Sequence, residues 1–160
     1  MTAGSALVKA TDVLADVADR VGSCLAERRQ PLLLDADPES WLSFEEPTRE
    51  RLAELVRFAS RYAPVGCELL LAAARPDGRL AVAGAGRIVL RWQLDLDARS
   101  QAKGENVILM RAEPRTAEAL LSRSEVRGLV GAFSETGVGL AFDVLGEDEE
   151  IRATLSVPGT

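Results

Sequence analysis

The residue pattern of this 160-residue chain predicts an α+β fold: a two-layer α/β sandwich, a mixed sheet with helices on one face, preceded by an N-terminal helix. Three observations carry the prediction. Apolar residues recur at helical spacing in two separated stretches, 5–28 and 47–62. Short apolar or alternating runs, bounded by Pro, Gly and Asp, lie between and after them. The chain closes on two further runs, 139–145 and 151–157, flanking the acidic Gly146-Glu147-Asp148-Glu149-Glu150, which reads as a hairpin. This length suits one domain with a real core, so residues 1–30 are read as the preceding helix and 31–160 as the domain proper.

In the first stretch Leu7, Ala10, Leu14, Val17, Val21 and Cys24 follow one another at intervals of three or four and share a face. Asp12, Asp16, Asp19, Arg20 and Glu27 fall largely elsewhere. Two uses of that face stay open: packing on the domain's own core, or a seam that pairs with another helix. In the second case the chain is a homodimer through its N-terminal helix, and removing residues 1–28 makes it monomeric.

Pro31-Leu32-Leu33-Leu34 suits a strand, Asp35-Ala36-Asp37-Pro38-Glu39-Ser40 a turn, and Trp41-Leu42-Ser43-Phe44 a brief second strand. Pro47, after Glu45 and Glu46, marks the start of a helix. Leu52, Leu55, Val56, Ala59 and Tyr62 line one face of it, and it stops before Pro64 and Gly66. The apolar run 67–74, the turn Pro76-Asp77-Gly78, the run 79–85 and the alternating run 87–95 continue the sheet. Residues 98–106 read as a loop and Val107-Ile108-Leu109-Met110 as a strand, with a helix as the alternative. A helical region begins at Pro114 and either runs on or restarts at Ser124 and continues to Phe133.

Composition excludes several chemistries. There is no histidine, which removes a phosphohistidine relay, Ser-His and Cys-His catalytic pairs and imidazole metal sites. Carboxylates, Lys103 and the two cysteines are left for acid–base work. Cys24 and Cys67 form no CxxC motif and read as buried free thiols in a reducing cytosol. A formal charge of −6 opposes binding to nucleic acid or an anionic bilayer. No apolar run approaches the roughly 18 residues of a membrane span, and no basic start precedes an apolar core, so a cytoplasmic location is expected.

The element order, the helix ending in Arg61-Tyr62-Ala63-Pro64, the Gly66-anchored strands and the closing hairpin ending in Ser156-Val157-Pro158 carry a resemblance. The chain resembles the ATP-binding domain of sensor histidine kinases, of the superfamily shared with gyrase, Hsp90 and MutL. The resemblance implies the same fold over roughly 31–158, and it implies where the nucleotide chemistry would sit. Two asparagines four residues apart would hold Mg-ATP on the second helix; Glu54 and Phe58 stand there. A phenyl ring offers no oxygen to a hard cation. An Asp-x-Gly-x-Gly loop would read adenine; Val82 stands for the Asp, with Gly84 and Gly86 in place. Asp95 and Asp97 offer another register without the glycines. A glycine-rich loop would cradle phosphates at a helix start; Leu121-Ser122-Arg123-Ser124-Glu125-Val126 has no glycine.

Three altered elements lead to the expectation of a degenerate kinase-like domain with no catalytic residue, cofactor or metal. It would act as a bacterial signalling module that binds a response regulator, a kinase or another signalling protein. Leu7, Leu14, Val17, Val21, Phe58 and Phe133 are its candidate partner-binding residues. Two alternatives stand beside it. One is a nucleotide sensor or kinase-like enzyme with a rearranged site using Glu54, Asp95 or Asp97. The other is an anti-sigma-like partner-switching protein.

Overall fold

The computed structural model describes residues 7–74, 84–94, 116–146 and 149–158. The expected turn at 76–78, the strand at 107–110, Val82, Asp95 and Asp97 lie outside these. Within them the order is β1 (Leu7–Lys9), α1 (Ala10–Glu27), β2 (Leu32–Ala36), β3 (Trp41–Ser43), α2 (Glu46–Tyr62), β4 (Leu69–Ala74), β5 (Ala85–Gln93), α3 (Ala117–Leu121), α4 (Ser124–Glu135), β6 (Gly139–Leu145) and β7 (Glu150–Pro158). The α+β prediction holds.

Five strands form one mixed sheet in the order β2-β4-β5-β7-β6, with β2 parallel to β4 and the other pairs antiparallel. Alternation along the strands sets its two faces. Leu69, Leu71, Ile88, Leu90, Trp92, Ile151, Ala153 and Leu155 are buried beneath the helices, while Leu70, Val89, Arg91, Arg152 and Thr154 on the other face are only partly covered. Arg91 and Arg152 face each other across β5 and β7, and Glu150 and Asp143 offset their repulsion at 2.6 and 3.2 Å.

The helix expected over the first stretch does not include residues 7–9. Leu7, Val8 and Lys9 instead pair antiparallel with Ser43, Leu42 and Trp41, and α1 starts only at Ala10. This two-stranded ribbon closes over β5. Leu42 points at Gly86, where an added Cβ would lie 2.6 Å from Leu42 Cδ2 and 3.1 Å from the Ala74 carbonyl oxygen. Gly84, at φ +81°, donates no side chain, and its carbonyl accepts from the Ser43 N–H at 2.9 Å.

The helical layer runs α1–α2–α4. α1 packs on α2, β2 and β4, and α4 packs on α2 and β6. α2 is the central helix, with Pro47 in its first turn and Arg61 in its last. A buried glutamine locks its end. Gln30 Nε2 donates to the carbonyls of Ser60, Ala63 and Pro64 at 3.1, 3.2 and 3.1 Å, and Arg28 adds a second donor to Ala63 at 2.9 Å. The Ser60 carbonyl is one that a helix end leaves unpaired, and Ala63 and Pro64 follow directly after the helix.

Candidate functional site

The region where the resemblance would put a nucleotide is built from α2, β5 and the start of α4. Because α2 is flanked by helices on both sides and by the sheet below, only one strip of it, through Glu50, Arg51, Glu54, Arg57 and Arg61, escapes burial in its last turns. Phe58, one turn after Glu54 and one before Arg61, shares the face of that strip yet is 0% exposed, with the Arg61 guanidinium 5.7 Å from its ring centroid. Its ring packs against Tyr62 at a centroid distance of 5.2 Å and edge-on to Trp92 at 6.3 Å. The Trp92 Nε1–H is buried without a hydrogen-bond partner among the described residues. An aromatic cluster therefore fills the space beneath α2 with carbon.

The other sequence-selected positions separate from it. Glu54, one turn before Phe58, stays half-buried at the surface of α2, and its carboxylate pairs with Arg51 at 3.1 Å. Gly84 and Gly86 serve the close approach of the β1–β3 ribbon. In the segment 121–126, Arg123 caps the start of α4 without a side-chain cap bond and donates from Nη1 to the Tyr62 hydroxyl at 2.8 Å. Glu125, in the first turn of α4, pairs with Arg61. A carboxylate there opposes the anion that a helix N-terminus otherwise favours.

Burial divides the expected partner-binding set. Leu14, Val17, Val21, Phe58 and Phe133 are all within 1% of complete burial in the domain's core, so their side chains are closed to any partner in this fold. Leu7 alone is exposed, at 43%, and it belongs to β1 rather than to a helix. The face of α1 that carries the three-and-four spacing is spent on α2 and the sheet.

What the surface does offer is a groove of about 820 Å³ over α2, reaching from Cys24 on α1 to α4. Arg51, Glu54, Arg57 and Arg61 form its floor and one wall; Glu125, Gly128, Gly131, Ala132 and Glu135 form the other. It exists because α4 turns two glycines toward it: a Cβ at either would find nothing within 4 Å. Beside it an ionic network joins α1 to α2. Arg20 reaches Asp16 at 3.1 Å, Glu50 at 3.0 Å and also Glu46; Arg49 reaches Asp16 at 3.2 Å; Arg57 reaches Glu50 at 3.1 Å and the Arg20 carbonyl at 3.2 Å. Burial pushes the Asp16 carboxyl up, but hydrogen bonds and charge from Arg20 and Arg49 outweigh it and hold the group below its usual range. Hydrogen bonds from Arg57 and Arg20 hold Glu50 low in the same way. The glutamine clasp and the links of this network between α1 and α2 were not legible in the sequence, since they join residues brought together by packing, whereas Asp16–Arg20 is a local i,i+4 pair.

Among the described residues no group of three or more His, Cys, Asp or Glu side chains is placed to hold a metal ion. Both cysteines are free, and they are half-buried where full burial was expected; Cys67 approaches Gln93 Oε1 at 3.4 Å. No described helix is long and apolar enough to cross a membrane.

No protein-family model matches the chain, and no curated protein matches it. Solved structures do. The mycobacterial sensor histidine kinase MprB superposes with a TM-score of 0.62 at 14% identity, over 97% of this chain and 97% of that one. The Acinetobacter baumannii histidine kinase AdeS gives 0.64 at 11% identity, over 96% of this chain and 66% of its own. A histidine kinase from Burkholderia phymatum STM815 gives 0.58 at 21% identity, over 97% and 71%. At these identities the likeness is one of fold: the chain has the histidine-kinase-like α+β architecture that the sequence resemblance implied, with α1 and β1 inside the matched region.

Proposed function

We propose that this chain is a non-catalytic signalling module, a kinase-like domain that has lost its nucleotide site and works by binding a protein partner. The observation that carries the reading is the burial of Phe58 between Tyr62 and Trp92. The position that the resemblance assigns to a magnesium-holding asparagine is occupied by a ring that neither coordinates a cation nor leaves room beside it. Glu54, engaged by Arg51 on the outer surface, and Glu125 at the start of α4 support the same reading. The kinase-like fold and the three kinases named above favour a signalling context, with a response regulator, a kinase or another regulatory protein as partner. The groove over α2 replaces the buried apolar set as the surface through which such a partner is met.

The test is calorimetric and thermal. Titration with about 5 mM Mg-ATP is expected to leave the unfolding temperature unmoved, because only a ligand that binds the folded state raises it. An upward shift growing with the logarithm of Mg-ATP concentration overturns the reading and restores the nucleotide-sensor alternative.

A further inference from the structure

Among the described residues, the side of the molecule at the β2 edge carries two unpartnered features that are neighbours. The first is the strand itself. β2 is an outer strand of the sheet, and it reads Leu32-Leu33-Leu34-Asp35-Ala36. Leu33 and Leu34 are each 43% exposed, one on either face. Edge strands are normally protected by charged side chains, proline or a bulge; β2 has Asp35 as its one charge and no lysine or proline within it, so Leu33 and Leu34 are left without such protection. The second is the flank of α1. Val13, Leu14, Val17 and Val21 face the core, and Asp16, Arg20 and Cys24 face α2. At 100° per residue the remaining flank, turned away from α2, is Thr11, Ala15, Ala18, Gly22 and Ala26. Every one of those side chains is small, and Ala15, Gly22 and Ala26 are exposed. Since α1 is the end helix of its layer and β2 the end strand of its sheet, the bare flank and the bare edge lie on one side.

We propose that this side pairs with a second copy of the chain about a two-fold axis, β2 against β2 and α1 against α1, both antiparallel. A two-fold makes each feature meet itself, as isologous interfaces do. The leucine edge gains a strand that satisfies its outward N–H and C=O groups, and the two sheets merge into one. Above the junction the small flanks let two helices lie close together. In the antiparallel arrangement Asp12, exposed in the first turn of one α1, comes to the end of the other, where Arg29 is exposed just past its last turn; these two symmetric pairings offset the approach of the two exposed Asp19 carboxylates near the axis. A stable interface buries roughly 1,200 Å² or more, and α1, 18 residues and about 27 Å long, extends the contact beyond the five-residue strand. The homodimer expected through the N-terminal helix is thus moved to the opposite flank of that helix.

Sedimentation velocity on the full chain tests this, at concentrations up to about 100 μM, where a micromolar dimer is largely associated. The wild type is expected to run at twice the 17.1 kDa chain mass. Gly22→Leu places a branched side chain where nothing lies within 4 Å in a single chain, so it leaves the fold intact and blocks the helix contact. Leu33→Lys protects the edge. Each variant is expected to weaken association at least about tenfold with an unchanged circular dichroism spectrum, and Asp12→Arg is expected to weaken it until Arg29→Asp is added. A wild type that stays monomeric overturns the proposal. So does a dimer that persists undiminished in both Gly22→Leu and Leu33→Lys, since it would use another surface, or a partner strand from a different protein found on β2 in place of the second copy. None of these outcomes depends on the Mg-ATP titration.

Discussion

Phe58 and the glycines show how one side chain sets the chemistry of a whole region. Replacing Phe58 by asparagine would restore an oxygen ligand in name, but it would leave a cavity between Tyr62 and Trp92 and bury an amide with no partner. The expected result of Phe58→Asn is a loss of about 4 kcal/mol in a denaturant titration, with no gain of Mg-ATP binding. A loss below about 1 kcal/mol would mean that the ring is not packed as described. The glycines divide in the opposite sense. Gly86→Ala forces a Cβ against Leu42 and the Ala74 carbonyl and should cost about 1–3 kcal/mol. Gly128→Ala enters open space on α4 and should gain up to about 1 kcal/mol, because alanine is the better helix former. Equal effects at the two sites would remove the distinction between a glycine that admits a neighbouring chain and one that leaves a groove. The spacing Gly84-x-Gly86 was legible in the sequence, yet its purpose was not. A motif fixes which residues are present, whereas the β1–β3 ribbon that presses on them is brought there by pairing far along the chain.

Among the elements, those with local signals were legible and those defined by distant partners were not. Pro47 and Pro64 bracket α2 within a residue or two, and the acidic turn marks the β6–β7 hairpin, because caps and turns are decided by adjacent residues. β1 was absorbed into α1, since Leu7 continues the helical spacing and only its pairing with Ser43 marks it as a strand. The same limit applied to Leu14, Val17 and Val21: a core face and a pairing seam share one periodicity, and the Asp16–Arg20–Glu50 network, which holds α1 against α2, decides between them. That network has a pH signature. Asp16 and Glu50 titrate below their unfolded values in the folded chain, so their contribution is complete above the unfolded values and disappears as the pH falls through the folded ones. Stability should therefore hold steady down to about pH 4.5 and fall below it. Urea midpoints between pH 7 and pH 3 would follow this, and Asp16→Asn should flatten the acid limb. These carboxylates are partly exposed, so added salt should also reduce the effect. An acid limb identical in wild type and Asp16→Asn would show that the network does not bear on stability.

For the molecule as a whole, the question is whether α1 is an appendage or part of the core. Reading residues 1–30 as separate from 31–160 implies that removal of residues 1–28 leaves a folded monomer. The packing implies otherwise. Ala10, Val13, Leu14, Val17, Val21 and Leu25 are buried in the same cluster as the strands and α2, and Arg28 and Gln30 hold the end of α2 from the segment that follows α1. At roughly 2 kcal/mol for each fully buried Val or Leu, the helix contributes about 10 kcal/mol, comparable to the entire stability of an ordinary domain. Its loss would also bare to water the side of α2 that it packs on and the underside of β2 and β4, an apolar patch of the kind that drives aggregation. Truncation of residues 1–28 is therefore expected to give a chain without near-ultraviolet circular dichroism or dispersed amide resonances, whatever the oligomeric state of the intact protein. A folded, soluble 29–160 fragment with a cooperative thermal transition would show that α1 is dispensable, and the domain boundary would then return to residue 30.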